Sequence, residues 1–146
     1  MIEGYDDLGW SRSETWERIL LQTESVEDGE HVVLSSRVGK FNWMGMRQTR
    51  ILAISSAALY NCTPRKPYRV KRRIPLAKIS SVTLSSLSPE FLIHVPEEYD
   101  YRFWSVILLF LKFESHKSRR SLEMILLLCS RHSRKGWDKR LKFLDC

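Results

Sequence analysis

The sequence predicts a mainly β domain with some helix: a curved antiparallel sheet or partly open barrel, capped by a C-terminal helix and preceded by a short N-terminal helix. Two observations lead to this fold class. Short runs rich in β-branched and aromatic residues fill residues 31–113, and helical spacing of apolar residues appears only before and after them. The breaks between runs are too short for the crossover helices that parallel strands need, so we expect antiparallel pairing.

The elements follow in order from local patterns. Ser11 and Glu14 have the spacing of a capping box, which predicts a helix over residues 12–25. A long amphipathic helix is expected over 118–135, where it would cover the open mouth of the barrel, and an extended tail over 139–144. Strands are expected at residues 31–41, 50–55, 57–61, 79–85, 91–95 and 103–113.

Charge divides the 146 residues into two parts, which we interpret as an acidic N-terminal segment, residues 1–30 with the short helix, and a domain over residues 31–146. The segment carries −7 and the remainder +14, for a total of +7. Between residues 31 and 89 there are eleven basic residues and no acidic one. Such a face attracts phosphate. We also consider the hypothesis that the acidic segment folds back over the basic face as a lid.

Other function classes find little support. Three cysteines without paired spacing, and no secretory signal at the start, predict a cytoplasmic setting. The longest apolar run, 103–113, falls short of the roughly 18 residues that span a bilayer. The histidines do not group with the cysteines at a ligand spacing, so we expect no metal and no cofactor. We interpret the acidic cluster Glu97, Glu98 and Asp100 as structural or solvated, and we expect no enzyme.

Several segments carry a family resemblance. They are Lys40-Phe41-Asn42 with Arg47 and Arg50, the apolar residues 51–54, Ala58-Leu59-Tyr60, Lys71-Arg72-Arg73-Ile74-Pro75-Leu76 with Ile79, and Phe91-Leu92-Ile93-His94-Val95-Pro96. In this order they resemble the pleckstrin-homology-like superfamily, and within it the lipid-binding tail homology domain of class I myosins. The resemblance covers residues 31–102 directly and the final helix more loosely. It implies binding of anionic phospholipid headgroups, phosphoinositides among them, at the periphery of membranes or the cytoskeleton.

The same resemblance implies that the basic residues of the first hairpin contact the headgroup. In this sequence they are Lys40, Arg47 and Arg50, and the run Lys71, Arg72 and Arg73 would form a second rim. Trp43 and Met44, at the hairpin tip, are candidates for insertion into the membrane. The alternative for these two residues is packing against the N-terminal helix.

Three functions remain open at this point. The first is a non-catalytic membrane-targeting or adaptor module that binds anionic lipid. The second is a protein-protein interaction module of a cytoskeletal or trafficking complex, using a sheet edge or the groove beside the final helix without lipid binding. Nucleic acid ranks last, because the aromatic residues are not interleaved with the cations as stacking platforms.

Overall fold

A computed structural model describes residues 6–85, 88–105 and 141–144, which form two compact units. The first unit contains the described residues up to Val38 together with Thr49–Pro75, and the second contains Gly39–Gln48 and the described residues from Leu76 onward. The elements are a 3-10 turn Trp10–Arg12, helix α1 Thr15–Leu20, strands β1 Val32–Phe41, β2 Arg47–Ser55, β3 Ala58–Cys62 and β4 Val70–Pro75, a second 3-10 turn Leu76–Lys78, and strands β5 Ser81–Ser85, β6 Glu90–His94, β7 Tyr101–Trp104 and β8 Leu141–Leu144.

The first unit is built on antiparallel pairing of β2 with β3 and of β3 with β4. Its β2 residues 51–55 and the whole of β3 are buried on both faces of the sheet. One face is covered by Trp10, Trp16 and Ile19, which pack on alternate residues of β2 and β3, and Trp16 meets the ring of Tyr60 edge-on at 5.2 Å. The acidic segment therefore supplies core side chains to this unit.

Hydrogen bonds also fasten this segment to the first unit. The carboxylate of Asp6 accepts the backbone N–H of Trp10 at 2.9 Å and of Ser11 at 2.7 Å, and the hydroxyl of Ser35 on β1 also donates to it. Burial opposes the charged form of Asp6, but these bonds outweigh it and lower its pKa. The side chain of Gln22 donates to the carbonyl of Tyr68 at 2.8 Å and accepts the N–H of Val70 at 2.9 Å.

These contacts correct two expectations about the segment. A lid would rest on a completed domain, whereas Trp10, Trp16 and Ile19 are part of the core, so the lid hypothesis is wrong. The helix is also shorter than the predicted 12–25, because residues 10–12 form a 3-10 turn and α1 ends at Leu20. Ser11 does not cap it, since its hydroxyl donates to Asp6 at 2.5 Å. The division of the chain at residue 30 stays a prediction.

The second unit contains the tip of the β1–β2 hairpin and strands β5 to β8. The end of β1 pairs with β7, β7 with β6 and β6 with β5, all antiparallel, while β8 pairs with β5 in parallel. Phe91, Phe103 and Tyr101 are buried and stack in that order. The ring centroids of Phe91 and Phe103 are 5.4 Å apart, and those of Phe103 and Tyr101 are 6.4 Å apart. This layer sets which face of β7 points inward, and so it orients the hairpin residues beside it.

The strand predictions are confirmed for the most part and need two corrections. Strand β4 was not among the predicted strands. Its basic residues are mostly exposed and only Ile74 is buried, so the sequence lacks the alternation of apolar and polar residues that predicts a strand. All pairs were expected to be antiparallel, but β8 is parallel to β5. The predicted helix 118–135 and most of the predicted strand 103–113 lie outside the described residues.

Candidate functional site

The tip of the β1–β2 hairpin is a tight turn held by backbone and side-chain hydrogen bonds. The N–H of Asn42 donates to the carbonyl of Met46 at 2.9 Å, and the N–H of Gly45 donates to the carbonyl of Asn42 at 2.9 Å. The side-chain oxygen of Asn42 accepts the N–H of Met44 at 3.0 Å and of Met46 at 2.9 Å. Gly45 has a φ of 77°, which a residue with a Cβ adopts only with strain. The conformation of the tip is therefore set before any ligand arrives.

This turn holds large apolar side chains in solvent. Trp43 is 91% exposed, Met44 is 55% exposed and Met46 is 53% exposed. The alternative interpretation, in which Trp43 and Met44 pack against the N-terminal helix, is wrong. A cluster of exposed apolar side chains on an ordered turn is the kind of surface that marks a binding site.

Lys40 lies just before the turn, on the face of the sheet where the aromatic layer is found. It is paired with Phe103 on β7, and its Nζ lies 5.6 Å from the ring centroid of Tyr101 and 5.9 Å from that of Tyr99. These distances are typical of cation–π contacts. Among the described residues, Lys40 makes no ion pair. Within the described ranges, its charge is therefore positioned by aromatic rings without being neutralised by a carboxylate.

Arg47 lies just after the turn, on the other face. Its guanidinium carbon is 4.2 Å from the ring centroid of Trp104, whose side chain points away from the Phe103 side because the two residues are consecutive in β7. The stem of Arg47 crosses β1 at Gly39, where an added Cβ would lie 2.6 Å from the arginine Cδ. The glycine thus leaves room for the arginine to reach the tryptophan.

The same outer face carries Arg102, which is already neutralised. Both its Nε and one terminal nitrogen donate to the same carboxylate oxygen of Glu90, at 3.1 Å and 2.7 Å, and its guanidinium lies 4.1 Å from the ring centroid of Phe41. Of the predicted cations in the second unit, Lys40 lies against Tyr101 on one face of the hairpin and Arg47 lies against Trp104 on the other.

The other predicted cations belong to the first unit. Arg50 is half-buried on β2, where it donates to the carbonyl of Thr49 at 3.1 Å. Lys71 and Arg72 are exposed on β4. Arg73 differs from them, since its side chain is only 12% exposed.

Arg73 is bound to a buried carboxylate, that of Glu30, whose side chain is fully buried. The guanidinium donates to Glu30 at 3.3 Å and to the hydroxyl of Tyr60 at 3.0 Å, and Tyr60 and Ser55 donate to Glu30 at 2.7 Å and 2.5 Å. Burial would raise the pKa of Glu30, but these hydrogen bonds and the charge of Arg73 lower it. Burial and the bond to Glu30 raise the pKa of Tyr60 to about 12.

This network gives Arg73 an internal partner in place of a ligand. Sequence reasoning placed Glu30 in the acidic segment and missed the pairing. The sequence offered one signal: Glu30 is the last acidic residue before a long basic stretch. The cross-strand pairing of Tyr60 with Arg73 is known only from the structure.

The loop between β6 and β7 carries the acidic cluster, each member with a partner. Glu97 lies 3.3 Å from the ammonium of Lys78, Glu98 accepts the hydroxyl of Tyr101 at 2.6 Å, and Asp100 lies 3.0 Å from the ring of His94. Burial and the bond to Glu98 raise the pKa of Tyr101. These contacts are in keeping with a structural role for the cluster. Tyr99, in the same loop, is 57% exposed and stacks on Tyr101, with the two ring centroids 4.3 Å apart.

None of the helices in the described ranges is long and apolar enough to cross a membrane.

Comparison with known proteins gives both a family and a fold. The family model described as "Unconventional myosin tail, actin- and lipid-binding" matches residues 6–142. A relative, the myosin IA heavy chain of Dictyostelium discoideum, is 31% identical over 83 residues, which cover 51% of this chain. The match spans only 8% of that heavy chain's length.

Three solved structures share the pleckstrin-homology-like fold at low identity. The C-terminal pleckstrin-homology (PH) domain of human pleckstrin has a TM-score of 0.54 at 14% identity, covering 78% of this chain and 97% of that domain. The N-terminal PH domain of human ARAP2 has a TM-score of 0.51 at 17% identity, covering 81% and 95%. The hSac2 domain of the human phosphoinositide phosphatase Sac2 has a TM-score of 0.55 at 11% identity, covering 83% and 82%. At these identities the likeness establishes the fold alone.

Proposed function

The chain belongs to the family of unconventional myosin tails described as actin- and lipid-binding, and we propose that it is a non-catalytic membrane-targeting or adaptor module that binds anionic phospholipid headgroups. The ligands would be acidic lipids, with phosphoinositides the preferred class. The observation that carries the proposal is the hairpin tip, where exposed Trp43 and Met44 lie between the cations Lys40 and Arg47. The module would act at the periphery of a membrane or of the cytoskeleton.

An apolar tip beside cations suits the chemistry of a bilayer surface. Tryptophan is enriched at the level of the headgroups, where its apolar ring and its N–H group are both accommodated. The ordered turn favours this contact, because little conformational entropy is lost when a preformed tip enters the interface. We therefore assign membrane insertion to Trp43 and Met44.

Charge supplies the second part of the affinity. Each lysine or arginine near an anionic leaflet contributes about 1 kcal/mol. Apart from Arg73, which is bound to Glu30, the predicted cations are Lys40, Arg47, Arg50, Lys71 and Arg72. Together they would give roughly 5 kcal/mol, which is a dissociation constant of about 0.2 mM before the tip is counted. Because neither contribution suffices alone, removal of either should be measurable.

Sedimentation with vesicles tests the proposal. The wild-type chain should sediment with vesicles of phosphatidylcholine that contain acidic lipid and remain in the supernatant with phosphatidylcholine alone. At equal total charge, vesicles with a phosphoinositide should bind it more tightly than vesicles with phosphatidylserine. Equal binding to neutral and acidic vesicles would refute the electrostatic contact, and equal binding to the two acidic lipids would refute the preference.

Matched variants locate the contact. Lys40→Ala should weaken binding about fivefold, the equivalent of about 1 kcal/mol. Lys78→Ala, which removes an exposed lysine already paired with Glu97, should not weaken it. Trp43→Ala should also reduce binding, whereas Leu21→Ala, which removes an apolar side chain that is 86% exposed in the first unit, should not. If the control variants lose as much affinity as the hairpin variants, the hairpin is not the contact.

The family description also supports a second proposal, that this chain binds actin filaments. It gives the protein-interaction alternative a specific partner. Cosedimentation with filamentous actin in the absence of lipid tests it. Binding to filaments that persists in Lys40→Ala and Trp43→Ala would place actin on a surface other than the hairpin tip, and absence of cosedimentation would reject the proposal.

A further inference from the structure

The loop between β6 and β7 places one accessible tyrosine beside a cation of the proposed headgroup contact. Of the tyrosines in the described ranges, Tyr60 and Tyr101 are buried and Tyr68 is half-buried, whereas Tyr99 is 57% exposed. The ring of Tyr99 lies 5.9 Å from the Nζ of Lys40. A charge added to this ring would therefore lie close to the ammonium of Lys40.

From this geometry we propose that Tyr99 is a phosphorylation site and that phosphotyrosine at this position switches off the lipid contact of Lys40. The inference rests on the proposed function for its consequence, but the contact between phosphate and lysine can be measured without lipid. The substrate is the exposed loop of this chain, and the co-reactants are ATP and a protein tyrosine kinase.

The local sequence suits such a kinase. Glu97 and Glu98 precede Tyr99 and Asp100 follows it, and the side chains of Glu97 and Asp100 are 70% and 55% exposed. Charge patterns around the acceptor residue are one means by which kinases select substrates. An acid-directed tyrosine kinase could therefore read the loop through basic residues in its own cleft.

The transfer itself is ordinary phosphoryl chemistry. The phenolic oxygen of Tyr99 forms a bond to the γ-phosphorus of ATP as the bond from that phosphorus to the oxygen of ADP breaks. The phenolic proton passes to the catalytic carboxylate of the kinase, and ADP leaves. The product carries a charge between about −1.5 and −2 at neutral pH.

The neighbours of Tyr99 favour Lys40 as the partner of the new phosphate. Glu97, Glu98 and Asp100 repel it, and Lys78 and His94 already contact two of these carboxylates. Lys40 makes no ion pair among the described residues, and its flexible stem lets the ammonium move from the ring face to the phosphate at the ring edge. The modified loop would then hold the lysine and repel an anionic bilayer.

The first experiment asks whether the site is accessible. The full chain is incubated with ATP and an acid-directed tyrosine kinase, and the modified residue is identified by mass spectrometry. Modification at Tyr99 that disappears in Tyr99→Phe supports the proposal. If the kinase modifies other tyrosines and leaves Tyr99 unmodified, the assignment is overturned.

The second experiment measures the consequence, with phosphotyrosine introduced at position 99 during synthesis. Binding to vesicles of 70% phosphatidylcholine and 30% phosphatidylserine should weaken about tenfold or more, because one cation is lost and up to about two negative charges are gained near the surface. Tyr99→Phe should bind as the wild type does. In the Lys40→Ala background the phosphate should cause a clearly smaller loss. Equal binding with and without phosphate, or an equal loss in both backgrounds, would overturn the switch.

A phosphorus resonance separates failure of this inference from failure of the proposed function. In the absence of lipid, Lys40→Ala should raise the second pKa of the phosphate by about half a pH unit, since a nearby cation favours the dianion. Lys78→Ala serves as the control for a more general change in charge. If the wild-type chain does not bind vesicles but the titration shifts, the lipid proposal fails and the Tyr99–Lys40 contact stands. If the titration does not shift, the contact is wrong.

Discussion

Gly39 determines where Arg47 can lie, because the arginine stem passes over a position at which any Cβ would collide with it. The contact with Trp104 depends on this passage. In the sequence Gly39 is an ordinary strand residue, and glycine in a strand interior is normally unfavourable. The structure shows that the absence of a side chain at Gly39 on β1 lets Arg47 on β2 reach Trp104 on β7.

Gly39→Ala should move Arg47 away from Trp104. We expect a shift of the Trp104 indole N–H resonance. The loss of vesicle binding should be smaller than that of Arg47→Ala, which is at most about fivefold, because Gly39→Ala keeps the arginine charge. The double variant should bind no more weakly than Arg47→Ala alone, since both changes remove the same contact. An unshifted Trp104 resonance would contradict the steric argument.

A second residue-scale prediction concerns the carboxylate of Glu30. Glu30→Gln leaves the guanidinium of Arg73 facing a neutral group in a site where both side chains are largely buried. Loss of one partner of a buried ion pair costs about 3 kcal/mol or more. The surface pair of Glu14 and Arg18, with side chains that are 81% and 76% exposed, is the control, and Glu14→Gln should change the free energy of unfolding by less than about 0.5 kcal/mol. Urea unfolding of both variants provides the comparison.

The lowered pKa of Glu30 also predicts how stability depends on pH. A carboxyl group with a pKa below its ordinary 4.5 in the folded state stabilises the protein above pH 4.5. That contribution is lost as the pH falls from 4.5 through the folded-state pKa. In urea unfolding between pH 6 and pH 3, the wild type should lose stability faster than Glu30→Gln. Parallel curves would show that the charge of Glu30 contributes nothing. Asp6, whose pKa is also lowered, titrates in both proteins and cancels in the comparison.

The hairpin is the element on which the proposed contact depends, and the sequence predicted part of it. Asn42 to Gly45 has the composition of a turn, so a hairpin tip with cations beside it could be predicted. The exposure of Trp43 and Met44 could not, because packing against the N-terminal helix was an equally open alternative. The faces on which the cations lie could not, because they depend on which β7 residues point inward. Tyr101 and Phe103 occupy the inner face and Trp104 the outer one, and this arrangement separates Lys40 from Arg47.

Separation on opposite faces predicts independent contributions to binding. Lys40 and Arg47 share no partner in the part of the chain that the structure describes, so the losses of binding free energy in the double variant should add within about 0.5 kcal/mol. Vesicle titrations of the two single variants and the double variant complete the cycle. A double variant that binds as the weaker single variant does would mean that both cations serve one pocket.

The other elements show where local patterns were sufficient and where they were not. Alternation of apolar residues predicted β1 and β6 to within a residue or two at each end. Strand β4 was missed because Lys71, Arg72 and Arg73 dominate its composition. The parallel pairing of β8 joins residues far apart in the chain, and no local signal specifies it.

At the scale of the whole molecule, the structure explains why the acidic N-terminal segment belongs to the same chain as the basic remainder. The N-terminal segment contributes Trp10, Trp16 and Ile19 to the core of the first unit, and Glu30 is bound to Arg73 inside it. The sequence showed that the segment is acidic and partly helical. It did not show that apolar residues of the segment cover a second face of β2 and β3. Over about five residues, the sequence pattern of a strand buried on both faces differs little from that of a strand buried on one face.

Truncation tests this packing. Deletion of residues 1–28 should expose the β2–β3 face and unfold the first unit, so near-ultraviolet circular dichroism should be lost. Trp16→Ala, a milder change, should cost about 3–5 kcal/mol in the free energy of unfolding. A truncated chain that keeps its tertiary signal and binds vesicles more tightly would revive the lid hypothesis.

The ordered tip, with a cation on either side, also determines how the hairpin would be oriented on a membrane. For the proposed contact with a bilayer, both faces of the hairpin find anionic neighbours only when the hairpin stands upright, with β1 and β2 along the membrane normal and Trp43 pointing down. Tilting to one side would lift either Lys40 or Arg47 away from the headgroups. For a membrane-bound chain, the hairpin would therefore set the angle of attachment as well as its strength.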